Sequence, residues 1–187
     1  MARPQGTKKN GLKYLDREQI KAFEKALEKG GSLRDEVAMR LTFRFGLRVQ
    51  ELANLKLSDL NFDSHQITVE GLKSGRTRTY DVEGDLWKKL NRYLMQNKIK
   101  DRLFPLSTQS LKNIFKKYAK LAGLPTDYSI HSLRHSIGIV MAERGASPIF
   151  IMKWLRHRSV NSSQVYFEQL EDRKLDQTMN KIFPEFL

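Results

Sequence analysis

WLRHRSVNSSQVY, residues 154–166, is the most informative segment of this sequence. It holds His157 between two arginines, Arg156 and Arg158, and a tyrosine, Tyr166, nine residues after the histidine. One histidine and one tyrosine at such a distance would mean nothing in isolation. Their interpretation therefore depends on whether other parts of the chain carry residues of matching chemistry.

Upstream, residues 130–135 read IHSLRH and are predicted to lie on a helix. His131, Arg134 and His135 share one helical face, because their spacings are three and four. Two histidines four apart could bind zinc, but the metalloprotease pattern needs a glutamate where Ser132 stands, and the chain has no cysteine. A guanidinium beside imidazoles suits an anion such as phosphate. From this segment alone, an anion site and an exposed basic helix are equally compatible with the pattern.

The charge balance favours a polyanionic partner. Of 187 residues, 34 are Lys or Arg and 21 are Asp or Glu, which gives a formal net charge of +13. Such an excess typically serves nucleic-acid binding, although a merely solvated basic surface has the same composition. The chain has no cysteine, hence no disulfide, and no apolar run near the roughly 18 residues of a membrane span. We therefore expect a cytoplasmic protein without a membrane segment.

Apolar periodicity predicts a mainly α-helical chain with one small antiparallel sheet, the α+β class. Asp16, with Gln19 three residues later, is typical of a helix N-cap with a capping box. Around residues 66–70 and 76–82 the period changes to two, and a Ser-Gly pair between them predicts a hairpin. The helical period returns from Asp85 onward. We expect one packed domain that begins near residue 14.

Residues 154–166 resemble the signature of the tyrosine recombinase (phage integrase) family, in which Leu-Gly-His-Ser-Ser-x-x-x-Thr-x-x-Tyr is typical. The spacing of nine agrees with that signature, as do Ser159 and the Gln-Val-Tyr sequence at residues 164–166. Residues 131–135 then match the His-x-x-Arg-His box of the family, at a plausible distance upstream.

Two further boxes of the family are present. GLRVQEL, residues 46–52, is similar to the box that supplies its first catalytic arginine, here Arg48. GLKSG, residues 71–75, stands where the family places its catalytic lysine, here Lys73. The boxes occur in order over nearly the whole chain, from residue 14 to about 175. The resemblance therefore implies the tyrosine recombinase catalytic-domain fold and double-stranded DNA as the partner.

The resemblance also implies a nucleophile and a charge clamp. Tyr166 would attack a phosphodiester, and the negative charge that grows on the nonbridging oxygens would be held by Arg48 and Arg134. His157 would donate a further hydrogen bond there. The product would be a 3′-phosphotyrosyl bond that preserves the energy of the broken bond. We therefore expect neither a metal nor any other cofactor, and no ATP.

Proton transfer needs two more groups. A free phenol titrates near 10, so Tyr166 needs a base, and we assign that role to His131. The departing 5′ oxygen needs a proton, which the resemblance assigns to Lys73. Glu51, one turn from Arg48, is expected to orient that arginine by a salt bridge. His135 is expected to support the pocket without touching the phosphate.

The sequence departs from the family pattern at two residues and at its N-terminal side. Arg156 stands where glycine usually precedes the histidine, and is expected to add positive charge beside the phosphate. Asp81 stands where the hairpin commonly has proline. Most members carry a separate DNA-binding domain before the catalytic one, and only about 13 residues precede it here. We expect either an excised catalytic fragment or a single-domain member similar to the fimbrial phase-switch invertases.

We divide the chain into a basic arm (residues 1–13), a catalytic domain (residues 14–170) and a C-terminal helix and tail (residues 171–187). The tail is apolar to its end, so it is expected to pack either on its own core or on a neighbouring protomer. The family resemblance implies a monomer that forms a tetramer on DNA. Two alternatives to recombination remain at this point: relaxation of the type IB topoisomerase kind, and a DNA-binding regulator without catalysis.

Overall fold

The structure, a computed structural model, describes residues 12–72 and 76–168. Within these residues the chain is mainly helical with one three-stranded antiparallel sheet, so the fold class predicted from the sequence is confirmed. The helices are α1 (Arg17–Lys29), α2 (Leu33–Phe45), α3 (Val49–Asn54), α4 (Gly84–Asn97), α5 (Thr108–Leu121), α6 (Ile130–Glu143) and α7 (Pro148–Trp154), and the strands are β1 (Leu60–Asn61), β2 (Gln66–Val69) and β3 (Arg78–Asp81). Residues 161–168 are also helical.

The capping box predicted at the start of α1 is present. The Asp16 carboxylate accepts from the backbone N–H of Gln19 at 2.8 Å, and the Gln19 side chain accepts from the backbone N–H of Asp16 at 3.1 Å. Two of the donors that a helix leaves unpaired at its first turn are satisfied in this way. Just before this cap, Tyr14 and Leu15 are buried, and the Leu15 N–H donates to Ser136 Oγ at 2.8 Å. The chain therefore joins the fold immediately N-terminal to α1 and contacts α6 there.

Gly46 ends α2 and sets the direction of the chain toward Arg48. Its φ of 56° lies in the left-handed region, which glycine adopts without the steric penalty of a side chain. A Cβ at this position would lie 2.3 Å from Leu155 Cδ2, so the close approach of the turn after α7 also requires glycine. The sharp turn brings the start of α3 against the segment that follows α7.

The hydrophobic core has two parts. In the larger part, helix α1 packs against α5, and α2 packs against both α4 and α6. Buried residues of the sheet also belong to this part. The smaller part joins the middle of α6 to α7 and to residues 161–168, and it includes Ile137, Ile151, Leu155 and Tyr166. Full burial of such side chains stabilises the fold by about 1.5–3 kcal/mol each before ordering costs. Tyr166 is thus a core residue in this structure.

The sheet confirms the predicted hairpin. Strand order is β1-β2-β3, and β2 pairs with β3 with Ile67 opposite Tyr80 and Val69 opposite Arg78. Ile67, Val69 and Tyr80 are buried, so the inward face follows the period of two expected for a strand. Asp81, which replaces the usual proline, accepts from the Gln66 side chain at 2.8 Å. The sheet therefore tolerates an aspartate there through a cross-strand hydrogen bond.

Several sequence predictions lie outside the described residues. They are Lys73 with its turn, residues 1–11 of the basic arm, and the C-terminal helix and tail. None of the helices in the described ranges is both long enough and apolar enough to cross a membrane.

Candidate active site

The candidate residues of the described ranges come together where the ends of α2 and α7 meet α6. Arg48 immediately precedes α3, and Arg134 lies in the first half of α6. His157 follows α7 by a short turn, and Tyr166 lies on the helical segment 161–168. The charges of both Arg48 and Arg134 act on the ionisation of His157 and of Tyr166. Residues far apart in the sequence thus form one site.

A buried carboxylate, Glu51, holds Arg48 in place. Its Oε1 accepts from Arg48 Nη1 at 2.8 Å, and its Oε2 accepts from the Arg48 backbone N–H at 2.8 Å. The Glu51 side chain is fully buried, whereas that of Arg48 is 32% exposed. Burial alone would raise the pKa of Glu51, but the charge and hydrogen bond of Arg156, the backbone hydrogen bond from Arg48 and the charge of Arg134 lower it below its usual value. Glu51 is therefore an anion that fixes one end of Arg48 and leaves the rest open to solvent.

Arg134 is buried and links two loops. Its Nη1 donates to the carbonyl of Gly46, its Nη2 donates to the carbonyl of Leu155, and Nη1 lies 3.9 Å from Glu51 Oε2. Burial, followed by the charge of Arg48, lowers the pKa of Arg134 to about 10. The guanidinium thus stays charged at neutral pH and forms a fixed positive charge in the site.

His157 is buried and neutral. Its Nδ1 lies 2.8 Å from Ser163 Oγ, and its ring stacks on Tyr166 with centroids 6.3 Å apart. Burial and the charges of Arg134 and Arg48 lower the pKa of His157 to about 3. When Ser163 donates to Nδ1, the proton of the neutral ring is on Nε2, which is then a donor toward the site.

Tyr166 is only 1% exposed. Its ring lies against Gly138 of α6, where an added Cβ would be 2.6 Å from Tyr166 Cζ. The hydroxyl is 3.4 Å from His135 Nδ1. Burial raises the pKa of Tyr166 more than the charges of Arg134 and Arg48 lower it. The phenol is therefore protonated and shielded from solvent in this structure.

The two histidines of α6 occupy different environments. His131 is exposed on the first turn, and partial desolvation with the charges of Arg134 and Arg48 lowers its pKa. His135 is half-buried, and its pKa is lowered to about 4 by burial and by the charges of His131 and Arg134. Among the residues that the structure describes, the imidazole beside the Tyr166 hydroxyl belongs to His135, and His131 makes no hydrogen bond to that hydroxyl.

The expectation that Arg156 adds positive charge beside the phosphate is wrong for this structure. Its side chain is fully buried and its Nη2 donates to Glu51 Oε2 at 2.6 Å. The physical reason is that Glu51 is a buried anion within reach, and pairing two buried charges avoids leaving either one uncompensated. Arg156 therefore belongs to the interior of the site and not to its surface.

Two other residues of the site were not singled out by the sequence prediction. Ser163 is buried against His157, and Gly138 makes room for the ring of Tyr166. Ser163 stands at the threonine position of the family signature, so a hydroxyl there was the available signal. Nothing in the local sequence marks Gly138, because its role arises from the packing of another segment. In the described ranges, no three His, Asp or Glu side chains are grouped as a metal site would require.

Comparisons with known proteins identify the family of this chain. Residues 13–173 match the phage integrase family. Tyrosine recombinase XerA of Pyrococcus furiosus is 32% identical over 167 residues, which cover 82% of this chain and 56% of that protein. The type 1 fimbriae regulatory protein FimE of Escherichia coli is 28% identical over 167 residues, which cover 82% of this chain and 84% of FimE. This chain thus spans little more than half the length of XerA.

Solved structures show the same fold. The crystal structure of XerA recombinase superimposes with a TM-score of 0.74 at 26% identity, over 90% of this chain and 64% of that one. The XerH recombinase bound to palindromic difH substrate, a post-cleavage complex, gives a TM-score of 0.79 at 20% identity, over 94% of this chain and 56% of that one. Together with the residues assembled at the site, these findings establish that the chain belongs to the phage integrase family.

Proposed function

We propose that this chain is the catalytic part of a site-specific DNA recombinase, which cuts and rejoins double-stranded DNA through a covalent bond between Tyr166 and a 3′ phosphate. The observation that carries the proposal is a chain of contacts from two fixed arginines to one tyrosine. Arg48 and Arg134 both lie against Glu51, Arg134 also donates to the carbonyl of Leu155, and His157, two residues later, stacks on Tyr166. Membership of the phage integrase family and the similarity to XerA support it. The basic arm, residues 1–13, and the tail, residues 171–187, are proposed to assist binding and assembly.

The two arginines and His157 would stabilise the transition state. Attack on a phosphodiester raises the negative charge on the nonbridging oxygens, and a preorganised donor there is worth about 10²–10³-fold in rate. Arg48 is tied to Glu51 through Nη1, which leaves its other nitrogens for the phosphate. Arg134 supplies a second fixed positive charge, and His157 donates a hydrogen bond to the phosphate from Nε2. The two arginines would do what a metal ion does in other phosphoryl transfers.

The proton balance completes the reaction. The Tyr166 hydroxyl gives its proton to His131, its oxygen bonds to phosphorus, and the bond between phosphorus and the 5′ oxygen breaks. Lys73, which lies outside the described residues, would protonate the departing oxygen. In the second half a 5′ hydroxyl attacks the phosphotyrosyl bond, and Tyr166 recovers its proton. One phosphoester bond is exchanged for another, so no ATP is required.

We infer that the buried position of Tyr166 is a resting position. The hydroxyl is shielded and its nearest imidazole is that of His135. Attack requires the ring to leave the space beside Gly138, which means that segment 161–168 must shift when DNA binds. His135 would then hold the hydroxyl in the resting state, and His131, which is already exposed, would accept its proton in the active state.

DNA is the proposed partner, and its affinity is expected to depend steeply on salt. A net charge of +13 allows several phosphates to be neutralised, and each releases counterions. If about six phosphates are contacted, a plot of log affinity against log salt has a slope of about −5. This is tested by fluorescence anisotropy of a labelled duplex, measured at several salt concentrations from about 50 to about 300 mM. A slope near zero would contradict binding through the phosphate backbone. We propose the cytoplasm as the location of the protein, because that is where the DNA of bacteria and archaea lies.

Cleavage itself is the test of the proposed function. A duplex selected from random sequence by its binding to the protein is nicked close to the cleavage position, so that the cut end diffuses away and the covalent complex accumulates. We expect this complex to form in excess EDTA and without ATP, and to contain four protomers when two sites are joined, whereas the free protein is a monomer. Cleavage that stops on chelation and returns with magnesium would indicate another phosphoryl-transfer class. Binding without any covalent complex would favour a regulator without catalysis.

A further inference from the structure

Arg156 occupies an unfavourable backbone conformation with a fully buried charged side chain. Its φ is 56°, in the left-handed region that residues with a Cβ adopt only at a cost. Its side chain is 0% exposed, although arginine is seldom buried unless it is paired. Such a combination persists only where the surrounding contacts determine it, and it is commonest at functional sites.

The contacts of Arg156 explain why the conformation is held. Both terminal nitrogens donate to acceptors around the end of α2 and the end of α7. The acceptors are Glu51 Oε2 at 2.6 Å, the carbonyls of Phe45 at 3.2 Å, Gly46 at 3.3 Å and Trp154 at 3.3 Å, and the hydroxyl of Tyr80. The one charged acceptor in this set is Glu51. Only the bond to Glu51 joins two opposite charges, and such pairs are the strongest hydrogen bonds, so Glu51 dominates the contacts.

Glu51 is the link between Arg156 and the proposed clamp. Its Oε1 holds Arg48 Nη1, while its Oε2 is taken by Arg156 and lies 3.9 Å from Arg134. Without Arg156, the buried carboxylate would be left with the two clamp arginines as its counter-charges. An anion so placed competes with a phosphate for the same guanidinium groups. With Arg156 present, Glu51 is neutralised from the interior and the clamp arginines keep their charge for the substrate.

We propose that Arg156 is a positioning residue of the strand-cleavage reaction, which acts through Glu51 to hold Arg48 and to keep the clamp free for the scissile phosphate. The inference rests on the proposed function. Arg156 itself does not touch DNA, since its guanidinium is enclosed. A purely structural role is the competing explanation, and contact with Tyr80 of β3 is a second route by which Arg156 could act.

The test compares Arg156→Gln with Tyr80→Phe on the selected duplex. Arg156→Gln keeps a hydrogen-bonding side chain but removes the charge that faces Glu51. Tyr80→Phe removes the hydrogen bond that Arg156 donates to the sheet and the one that the Tyr80 hydroxyl donates to the carbonyl of Trp154, and it leaves the contacts of Glu51 in place. We expect the DNA affinity of Arg156→Gln to stay within about threefold of that of the unchanged protein. Its single-turnover cleavage rate is expected to fall about 10²-fold, which is the loss typical of one misplaced hydrogen-bond donor to the transition state. Tyr80→Phe is expected to cleave within about threefold of the unchanged protein, because the two hydrogen bonds that it removes do not involve Glu51 and the charge pair of Arg156 with Glu51 remains.

A second substrate separates positioning from mere stability. A methylphosphonate at the scissile position lacks one of the charged nonbridging oxygens, so it needs less help from the clamp. On this substrate the deficit of Arg156→Gln is expected to shrink to less than about tenfold, because less charge must be stabilised. Arg156→Lys keeps the charge and the reach to Glu51, and it is expected to recover at least part of the cleavage rate. It also serves as the test variant if Arg156→Gln has a lower melting temperature.

Three results with the Arg156 variants would overturn the inference. The first is that Arg156→Gln cleaves at the unchanged rate. The second is that Arg156→Gln loses the same factor in cleavage rate on the phosphodiester and on the methylphosphonate. The third is that Arg156→Lys is folded but cleaves no faster than Arg156→Gln. A larger loss for Tyr80→Phe than for Arg156→Gln would assign the effect to the sheet and also overturn it. If the unchanged protein itself forms no covalent complex, the failure lies with the proposed function and not with the role of Arg156.

Discussion

Tyr166→Phe is expected to abolish covalent attachment to DNA while the protein stays folded and binds DNA almost as before. Only the hydroxyl is removed, and the ring keeps its place against Gly138. The hydroxyl makes one long hydrogen bond to His135, at 3.4 Å, so its removal should change the free energy of unfolding by about 1 kcal/mol or less. Denaturing gel electrophoresis of the nicked-substrate reaction measures the covalent complex, and thermal melting with anisotropy measures fold and binding.

The matched control for this variant is Tyr128→Phe. Tyr128 is also a buried tyrosine, and the groups that act on the ionisation of its hydroxyl are Gln19, Asp16, Asp127 and Tyr14, none of which belongs to the candidate site. We expect Tyr128→Phe to form the covalent complex at the unchanged rate. A complex that survives Tyr166→Phe, or one that disappears in Tyr128→Phe without loss of folding, would show that the nucleophile has been assigned wrongly.

Arg134→Ala is expected to have the second largest effect. It removes a fixed positive charge from the site, which should lower the single-turnover cleavage rate by about 10²–10³-fold. It also removes the donor of the Leu155 carbonyl and leaves the Gly46 carbonyl with only the 3.3 Å bond from Arg156, which should cost about 1–3 kcal/mol of unfolding free energy. Rate measurements at saturating protein, with melting curves for the same sample, record both effects.

Arg134→Lys distinguishes the two contributions. A lysine keeps the charge but has a single nitrogen, which cannot reproduce a planar fork that donates to two carbonyls on different loops. We expect Arg134→Lys to remain slower than the unchanged protein by at least about tenfold for this reason. An unchanged rate in Arg134→Lys would mean that a point charge is sufficient, and an unchanged rate in Arg134→Ala would contradict the clamp altogether.

Features with a local cause could be predicted from the sequence. The capping box of Asp16 and Gln19 depends on two residues that are three apart. The β2–β3 hairpin depends on the alternation of apolar and polar residues within one short segment. Both could therefore be predicted from the sequence. The family boxes likewise located Arg48, Arg134, His157 and Tyr166 because their order along the chain is itself informative.

Features that depend on tertiary packing could not be predicted in this way. Arg156 was expected to add positive charge beside the phosphate because its charge is visible in the sequence, but the direction of its side chain depends on one left-handed φ and on a carboxylate 105 residues away. The pairing of Tyr166 with His135, not His131, depends on where segment 161–168 packs against α6. Charge and spacing indicate which residues belong to a site, while burial decides what each one contacts.

The central claim is that Tyr166 forms a covalent bond with a 3′ phosphate of DNA, and peptide mapping of the trapped complex tests it most directly. Digestion of the complex with nuclease and trypsin should release the peptide of residues 159–173, which contains one tyrosine and three serines, with a nucleotide attached. Fragmentation in the mass spectrometer is expected to place the nucleotide on Tyr166 through its 3′ phosphate, and the other cut end should carry a free 5′ hydroxyl. A nucleotide on a serine or histidine, a linkage through a 5′ phosphate, or cut DNA without any attached peptide would contradict the claim.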